Sequence, residues 1–498
     1  MAMDFIHHLP VLQVIVPLLC APLVVLLQPR GLAWAATTAV CILSFVIALN
    51  LAVQVIGGPA LSYELGGWEV PFGIALRVDE LSALLLVIVT GASTAATLAG
   101  RESIDSQIEE HRQPMFYSAW LLVLSGLVGM VVSADAFNIF VFMEISSLAS
   151  YVLIAGGPDR RALLAVFKYL IMGTIGATFY LIGVGMIYMM TGTLNLEDMS
   201  QLISGVSDQK PILVAAGFIT IGLGLKAALF PLHVWLPNAY THAPHMVTMF
   251  LAACGTKVAV YVLLRFDFFV FQPAMDSHAI HFSLYLMPLA LLGIVVASAV
   301  AMFEGQLKRV LAFSSVAQIG YILLGASLLS HEGLTASMVH MLNHALAKGA
   351  LFLVVACLGL RLLDLRIDAL GGVAKQMPLT CAAFVVAGLS LVGVPGTAGF
   401  ISKWLLISAL MEQGAQGLVM VALVLVSSLM ALVYVWRIIE TLYFKPAIAD
   451  RPELKEAPLP LLAVTLLLAS LNIVFGVFPE LPIDLSKSAA LVLLGDQL

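Results

Sequence analysis

Apolar runs long enough to cross a bilayer follow one another along this chain, separated by short polar stretches. They fall at about 10–28, 32–57, 79–100, 115–133, 135–156, 163–190, 211–232, 244–266, 281–302, 309–329, 334–360, 379–411, 416–443 and 458–478. A helix needs roughly 20 apolar residues to span the hydrocarbon core, so the pattern predicts about 14 transmembrane helices. The stretch 379–411 is too long for one straight helix. The longest polar stretches, RESIDSQIEEHRQ and KPAIADRPELKEA, leave no room for a soluble domain.

Two spans carry internal breaks. In span 7, GLGLKAALFPLHVWLP, Pro231 removes a helical hydrogen bond soon after Lys226. In span 12, SLVGVPGTAGFISKWLL, Gly393-Val394-Pro395-Gly396 interrupts the helix before Lys403. Breaks at membrane depth are tolerated where freed carbonyls line a polar cavity or are buried in protein. The breaks lie five spans apart, which predicts a five-helix unit, spans 4–8, repeated as spans 9–13. An odd number of helices per unit inverts the second copy. The expected fold is therefore an all-α polytopic membrane protein with two inverted repeats. It reads as one domain over 1–498: three N-terminal helices to 114, repeats over 115–266 and 281–443, and a last helix at 458–478.

Composition agrees. Hydrophobic residues are 61% of the 498 positions and charged residues 10%, with a mean hydropathy of +1.05, which excludes a soluble globule. The formal charge of −6 is spread thinly, with no basic tail for nucleic acid. The N-terminus lacks a positive leader and a small-residue cleavage site, so it reads as a retained first span. Cys20, Cys41, Cys254, Cys357 and Cys381 stand singly in apolar runs, so neither an iron–sulfur nor a zinc centre is expected, and no cofactor.

Basic residues set the orientation. Fourteen, including Arg101, Arg112, Lys308, Arg361 and Lys375, follow odd-numbered spans; Arg77, Lys210, Arg265 and Lys487 lie on the opposite side. The bias predicts cytoplasmic odd loops and both termini outside.

The other five basic residues, Lys168, Lys226, Lys257, Lys348 and Lys403, sit inside apolar spans, together with one mid-span acid, Glu144. Intramembrane charges cost at least a few kcal/mol, so they usually line a polar path and pair with one another. Glu144 has Lys226 or Lys168 as partner, either as a switch or as a structural ion pair. Lys257 lies centrally beside Gly255 and Thr256, small residues that permit close helix approach. His340, His344 and Lys348 recur every four residues and share one helical stripe. Such a stripe suits a proton relay, or merely glues helices together. Lys403 follows the second break. Lys168 lies near Arg160 and Arg161, where a lysine can snorkel to the surface. His233, His242 and His245 could gather protons at a cytoplasmic entrance or simply cap turns; His7 and His8 carry no signal.

At these residues the chain resembles the antiporter-like subunits shared by Mrp-type cation/proton antiporters, respiratory complex I and membrane-bound hydrogenases. The matching stretches are FVFMEISSLASYVL, AVFKYLIMGTIGATFYLIGVGMIYMMTGTLN, GLGLKAALFPLHVWLPNAYTHAP, FSSVAQIGYILLG, HALAKGALF and GVPGTAGFISKW, in family order over roughly 75–445. Within that group the chain is most similar to Mrp-type D subunits, which place lysine where Lys403 stands. The resemblance implies Glu144 paired with Lys226, then Lys257 and Lys403 along a midplane axis, with the span 11 histidines connecting them. His245 departs from the pattern, standing where small residues commonly follow THAP. No long lateral helix, as in the largest complex I member, follows the last span.

The reading implied is a proton-translocating subunit of a multisubunit Na⁺ or K⁺/proton antiporter in a bacterial inner membrane. Its partners are other membrane subunits, lipids and the ions themselves. It is read as a secondary transporter rather than an enzyme. The alternatives are a proton-pumping subunit of a complex I-like or hydrogenase oxidoreductase, and a proton channel coupled to a soluble partner.

Overall fold

The computed structural model describes residues 7–27, 30–206, 208–271, 283–447 and 451–495, with backbone alone at Arg30, Ser283 and Leu284. The first six residues of the expected retained span, its last residue Gln28, and residues 281–282 of span 9 lie outside the described residues.

Helices α1 (Leu9–Val25) and α2 (Arg30–Val55) lead to a hairpin of β1 (Leu61–Glu64) and β2 (Ala75–Val78), then α3 (Glu80–Gln107). The strands pair antiparallel, Leu61 opposite Val78. Period-two patterning is too short there to stand out beside the helices, and the sequence reading has no counterpart to it.

The first repeat comprises α4 (Gln113–Val132), α5 (Ala136–Ala155), α6 (Arg161–Thr191), the short α7 (Leu196–Ile203), the broken pair α8 (Lys210–Ala227) and α9 (Trp235–His242), and α10 (His245–Phe271). The second comprises α11 (Ser283–Phe303), α12 (Leu307–Ala326), α13 (His331–Gly359), the broken pair α14 (Pro378–Val392) and α15 (Ala398–Met411), and α16 (Gly414–Tyr443). Helix α17 (Leu459–Val477) follows, and the chain then adds α18 (Glu480–Leu494), packed on α13 and α3, beyond the helix expected to be last.

Twelve helices among the described residues are long and apolar enough to cross a membrane. The 17-residue α1 and the broken α14–α15 are the two remaining spans of the apolar pattern. The ends are capped by short polar side chains that satisfy otherwise orphaned amides: Asp79 at α3, Asp135 at α5, Asn195 at α7 and Ser330 at α13.

The duplication is visible in backbone detail. Ala136 N donates to Leu194 O at 2.8 Å and Leu196 N to Ala134 O at 2.9 Å; Leu307 N donates to Leu365 O at 3.1 Å and Ile367 N to Gly305 O at 2.9 Å. In both repeats the loop before the second helix thus pairs with the segment after the third. The last helix of each repeat also reaches back alike: Tyr261 Oη donates to Val131 O and Arg437 Nη1 to Met302 O, both at 2.6 Å. Each broken helix ends in the left-handed region, at Ala228 (φ 56°) and Gly393 (φ 90°). Glycine is required where the broken elements approach most closely: a Cβ at Gly399 of α15 would collide with the Ser390 carbonyl of α14.

Candidate functional site

Lys226 occupies the last turn of α8. Its Nζ donates to the Ser147 hydroxyl on α5 and lies 5.9 Å from the Tyr169 ring centre. The expected partner, Glu144, stands one turn before Ser147, and no direct Glu144–Lys226 ion pair forms. Glu144 Oε1 is buried without a hydrogen-bond partner. Ser147, one turn along the same helix, is the side chain that takes the ammonium.

The two breaks handle their freed carbonyls differently. At the first, Trp235 Nε1 donates to Leu225 O at 2.8 Å, and Trp235 stacks on Tyr169 at 4.1 Å. The lysine beside this break therefore does not take its carbonyls. At the second, Lys403 Nζ donates to Leu391 O (3.2 Å), Val392 O (2.9 Å) and Ser428 Oγ (3.0 Å). Here the lysine beside the break takes its freed carbonyls.

A cavity of about 40 Å³ lies beside Lys226, lined among others by Ser147, Tyr169, Tyr240, Gly255 and Thr256. A water needs about 10–15 Å³ on that measure, so the space admits water between Lys226 and the start of the Lys257 turn. Lys257 is fully buried, and its Nζ donates to the Ala252 carbonyl. Ala252 belongs to a wide π turn, Leu251–Gly255, a local unwinding often found at functional positions. Gly255 ends this turn and Thr256 begins the regular helix that follows.

Lys257 lies within electrostatic reach of His340, His344 and Lys348. The two imidazoles stack on α13 with centroids 6.3 Å apart. His340 Nε2 sits 2.9 Å from Gln318 Oε1, and its Nδ1 2.8 Å from Ser402 Oγ. Both nitrogens of His344 are buried without partners. Lys348 shares the stripe but turns away, donating to Leu311 O at 2.7 Å and to Ser314. Lys257, His344, His340 and Lys403 are all buried, and the small cavity lies between Lys226 and the start of the Lys257 turn.

Four polar residues beside these side chains have no place in the expected site. Tyr321 lies under Lys403, with Nζ 4.7 Å from the ring centre, and 5.5 Å from the His340 ring. Gln318 and Ser314 complete a polar face on α12 at helical spacing (314, 318, 321), a pattern present in FSSVAQIGYILLG. Asn343 Nδ2 donates to Ala398 O at 2.6 Å and pins the start of α15.

The other candidates fall outside. Lys168 is exposed on α6. His242 Nδ1 lies 3.6 Å from Asp159 Oδ2, and His233 stacks on Phe230. His245 is buried, its Nδ1 unpartnered, against Gly359. Two basic residues assigned to loops are instead buried. Lys308 Nζ donates to Ala243 O at 2.6 Å, and Arg265 pairs with Asp79. Among the described residues, no three His, Cys, Asp or Glu side chains stand together as metal ligands.

Residues 133–431 match the family described as NADH:quinone oxidoreductase/Mrp antiporter, transmembrane. A Desulforudis audaxviator protein named NADH-quinone oxidoreductase subunit N is 41% identical over 95% of this chain and 96% of its own length. A Staphylococcus aureus protein named for antiporter subunit mnhD2 is 27% identical over 99% and 97%. Among solved structures, a chain of the Mrp complex from Dietzia sp. DQ12-45-1b superposes with TM-score 0.91 at 26% identity, over 99% of this chain and 98% of that one. A chain of the membrane-bound sulfane sulfur reductase, an archaeal respiratory membrane complex, gives 0.90 at 32% identity, over 97% of each.

Proposed function

The chain belongs to the NADH:quinone oxidoreductase/Mrp antiporter transmembrane family, and from that membership we propose that it moves protons along the buried line Lys226, Lys257, His344, His340 and Lys403. The observation that carries the reading is the join between repeats. His340 of α13 holds the Ser402 hydroxyl next to Lys403, while the buried Lys257 of α10 lies within electrostatic reach of the same histidines. A desolvated ammonium gives up its proton more readily than a solvated one, and a neutral imidazole can accept it.

Protons enter through one half of the repeat pair and leave through the other. Glu144 acts as the switch. With the carboxylate close, the Lys226 charge is paired; with the ammonium on Ser147 it stands beside the cavity, where its proton can pass to water. Lys348, on the same stripe, stores a proton to one side of the line.

The subunit works within a multisubunit complex of a bacterial inner membrane, as in the Mrp and respiratory assemblies its fold resembles. In the antiporter reading, inward protons gain about 2.3 kcal/mol per charge per 100 mV, which drives Na⁺ or K⁺ outward. A lysine at 403 and the full-length likeness to an Mrp chain support it. A second reading, a redox-driven proton pump, is favoured by the 41% identity to a protein named as an oxidoreductase subunit. Purifying the complex through a tag on this chain separates them. Small hydrophobic partners with Na⁺- or K⁺-dependent proton flux support the antiporter; flavin or iron–sulfur partners support the pump.

A further inference from the structure

A second and larger cavity, of about 300 Å³, lies at the end of the bundle where the hairpin sits. It is lined among others by Ser62, Arg77, Ala134, Glu197, Tyr261 and Arg265. Its described walls come from the ends of even-numbered spans and the segments that follow them, the face that the basic-residue bias assigns to the outside. Its inner wall is a buried polar cluster. Arg265 pairs with Asp79 at the start of α3 and donates to Ser82 Oγ and Tyr261 Oη at 3.1 and 3.2 Å. Ser82 Oγ and Tyr261 Oη are 3.1 Å apart. The second Asp79 oxygen is buried without a partner.

The same cluster lies over Lys257. Residues 257, 261 and 265 repeat every four positions on α10, and 256–264 is regular α-helix, so the three share a stripe. At 1.5 Å per residue, Lys257 lies about 6 Å below Tyr261 and about 12 Å below Arg265. A buried ion pair is a weak source of stability on its own, and a pair placed between a water-sized vestibule and a buried lysine is placed where a gate belongs.

We propose that this vestibule is a proton port to Lys257 from the outer face, closed by the Asp79–Arg265 pair. It opens onto the middle of the line rather than its end, and it rests on the reading of Lys257 as a proton carrier. For passage Lys257 Nζ leaves the Ala252 carbonyl and the Tyr261 hydroxyl leaves the Val131 carbonyl; the proton then passes from the ammonium along the Tyr261 and Ser82 hydroxyls, each of which accepts one proton and donates another, and appears on vestibule water. Only N–H and O–H bonds change. Two arginines face the cavity, one of them, Arg77, 2.8 Å from Glu197.

The test uses the intact complex in right-side-out vesicles, with Ser62→Cys and Ala134→Cys made separately and the native complex as control. Four of the five native cysteines are buried. A bulky, membrane-impermeant methanethiosulfonate is added outside, and labelling and proton flux are both measured. The port predicts full labelling, loss of flux, and recovery when a reducing agent removes the label. Full labelling with unchanged flux overturns it, as does failure to label from outside, or a loss that persists after the label is removed. Lys257→Ala is measured in parallel. Its loss of flux alongside an inert vestibule label sinks the port alone, whereas normal flux in Lys257→Ala sinks both the port and the carrier role on which it rests.

Discussion

The His340 imidazole sits 2.8 Å from the Ser402 hydroxyl, which ties the polar stripe of α13 to the residue preceding Lys403. A histidine that only held helices together could be replaced by another hydrogen-bonding side chain. His340→Gln keeps a donor and an acceptor for Ser402 and Gln318 but cannot take up and release a proton. The complex should assemble normally with this variant and lose most of its proton flux, measured with a lumenal pH indicator. Normal flux in His340→Gln would assign His340 to packing.

Lys226 rests on Ser147 rather than on Glu144, which predicts three distinct phenotypes. Glu144→Ala and Lys226→Ala each leave one charge without its counterpart and should abolish transport in assembled complexes. Glu144→Asp keeps the charge at shorter reach and should retain part of the activity. Ser147→Ala removes the alternative seat, so Lys226 should remain with the carboxylate and exchange should slow without stopping. Faster exchange in Ser147→Ala would contradict the switch.

Gly399→Ala places a Cβ against the Ser390 carbonyl. Overpacking of this kind typically costs about 1–3 kcal/mol, and here it must shift α15, which carries Ser402 and Lys403. A lowered melting temperature of the purified complex, with flux reduced further than assembly, is the expected result. An unchanged melting temperature would show that the broken pair is looser than described.

Orientation has its own check. Cysteines introduced in the loops 101–112 and 361–375 should label from the cytoplasm, and cysteines at Ser62 and near the C-terminus from outside. Helix α18 makes the C-terminal position the more informative one. Cytoplasmic labelling there would mean that α18 crosses the membrane as an additional span.

The fold was legible because apolar length and helix breakers are local signals. Pro231 and the Gly393–Gly396 run mark breaks that the structure places at Ala228–Val234 and Gly393–Thr397. The lysines were legible because charge in an apolar run is conspicuous. What escaped was contact between distant segments. Asp79 and Arg265 stand 186 positions apart, and each reads as an ordinary flank of its own span. Lys308 looks like a surface charge until α12 packs it against Ala243. Glu144 and Lys226 are each conspicuous in the sequence. Ser147 is a common small residue in a helix, so nothing marked it as the group that takes the Lys226 ammonium.

Lys403 carries the central claim, since the account makes it a proton carrier held by the carbonyls of a broken helix. The measurement is proton flux through the whole complex in inverted vesicles bearing Lys403→Arg. Guanidinium keeps the charge but hardly ever releases its proton. The account predicts that Lys403→Arg fails nearly as badly as Lys403→Ala despite normal assembly, and that Lys403→His or Lys403→Glu restores part of the flux. Full flux in Lys403→Arg would show Lys403 to be a fixed charge and would contradict the account.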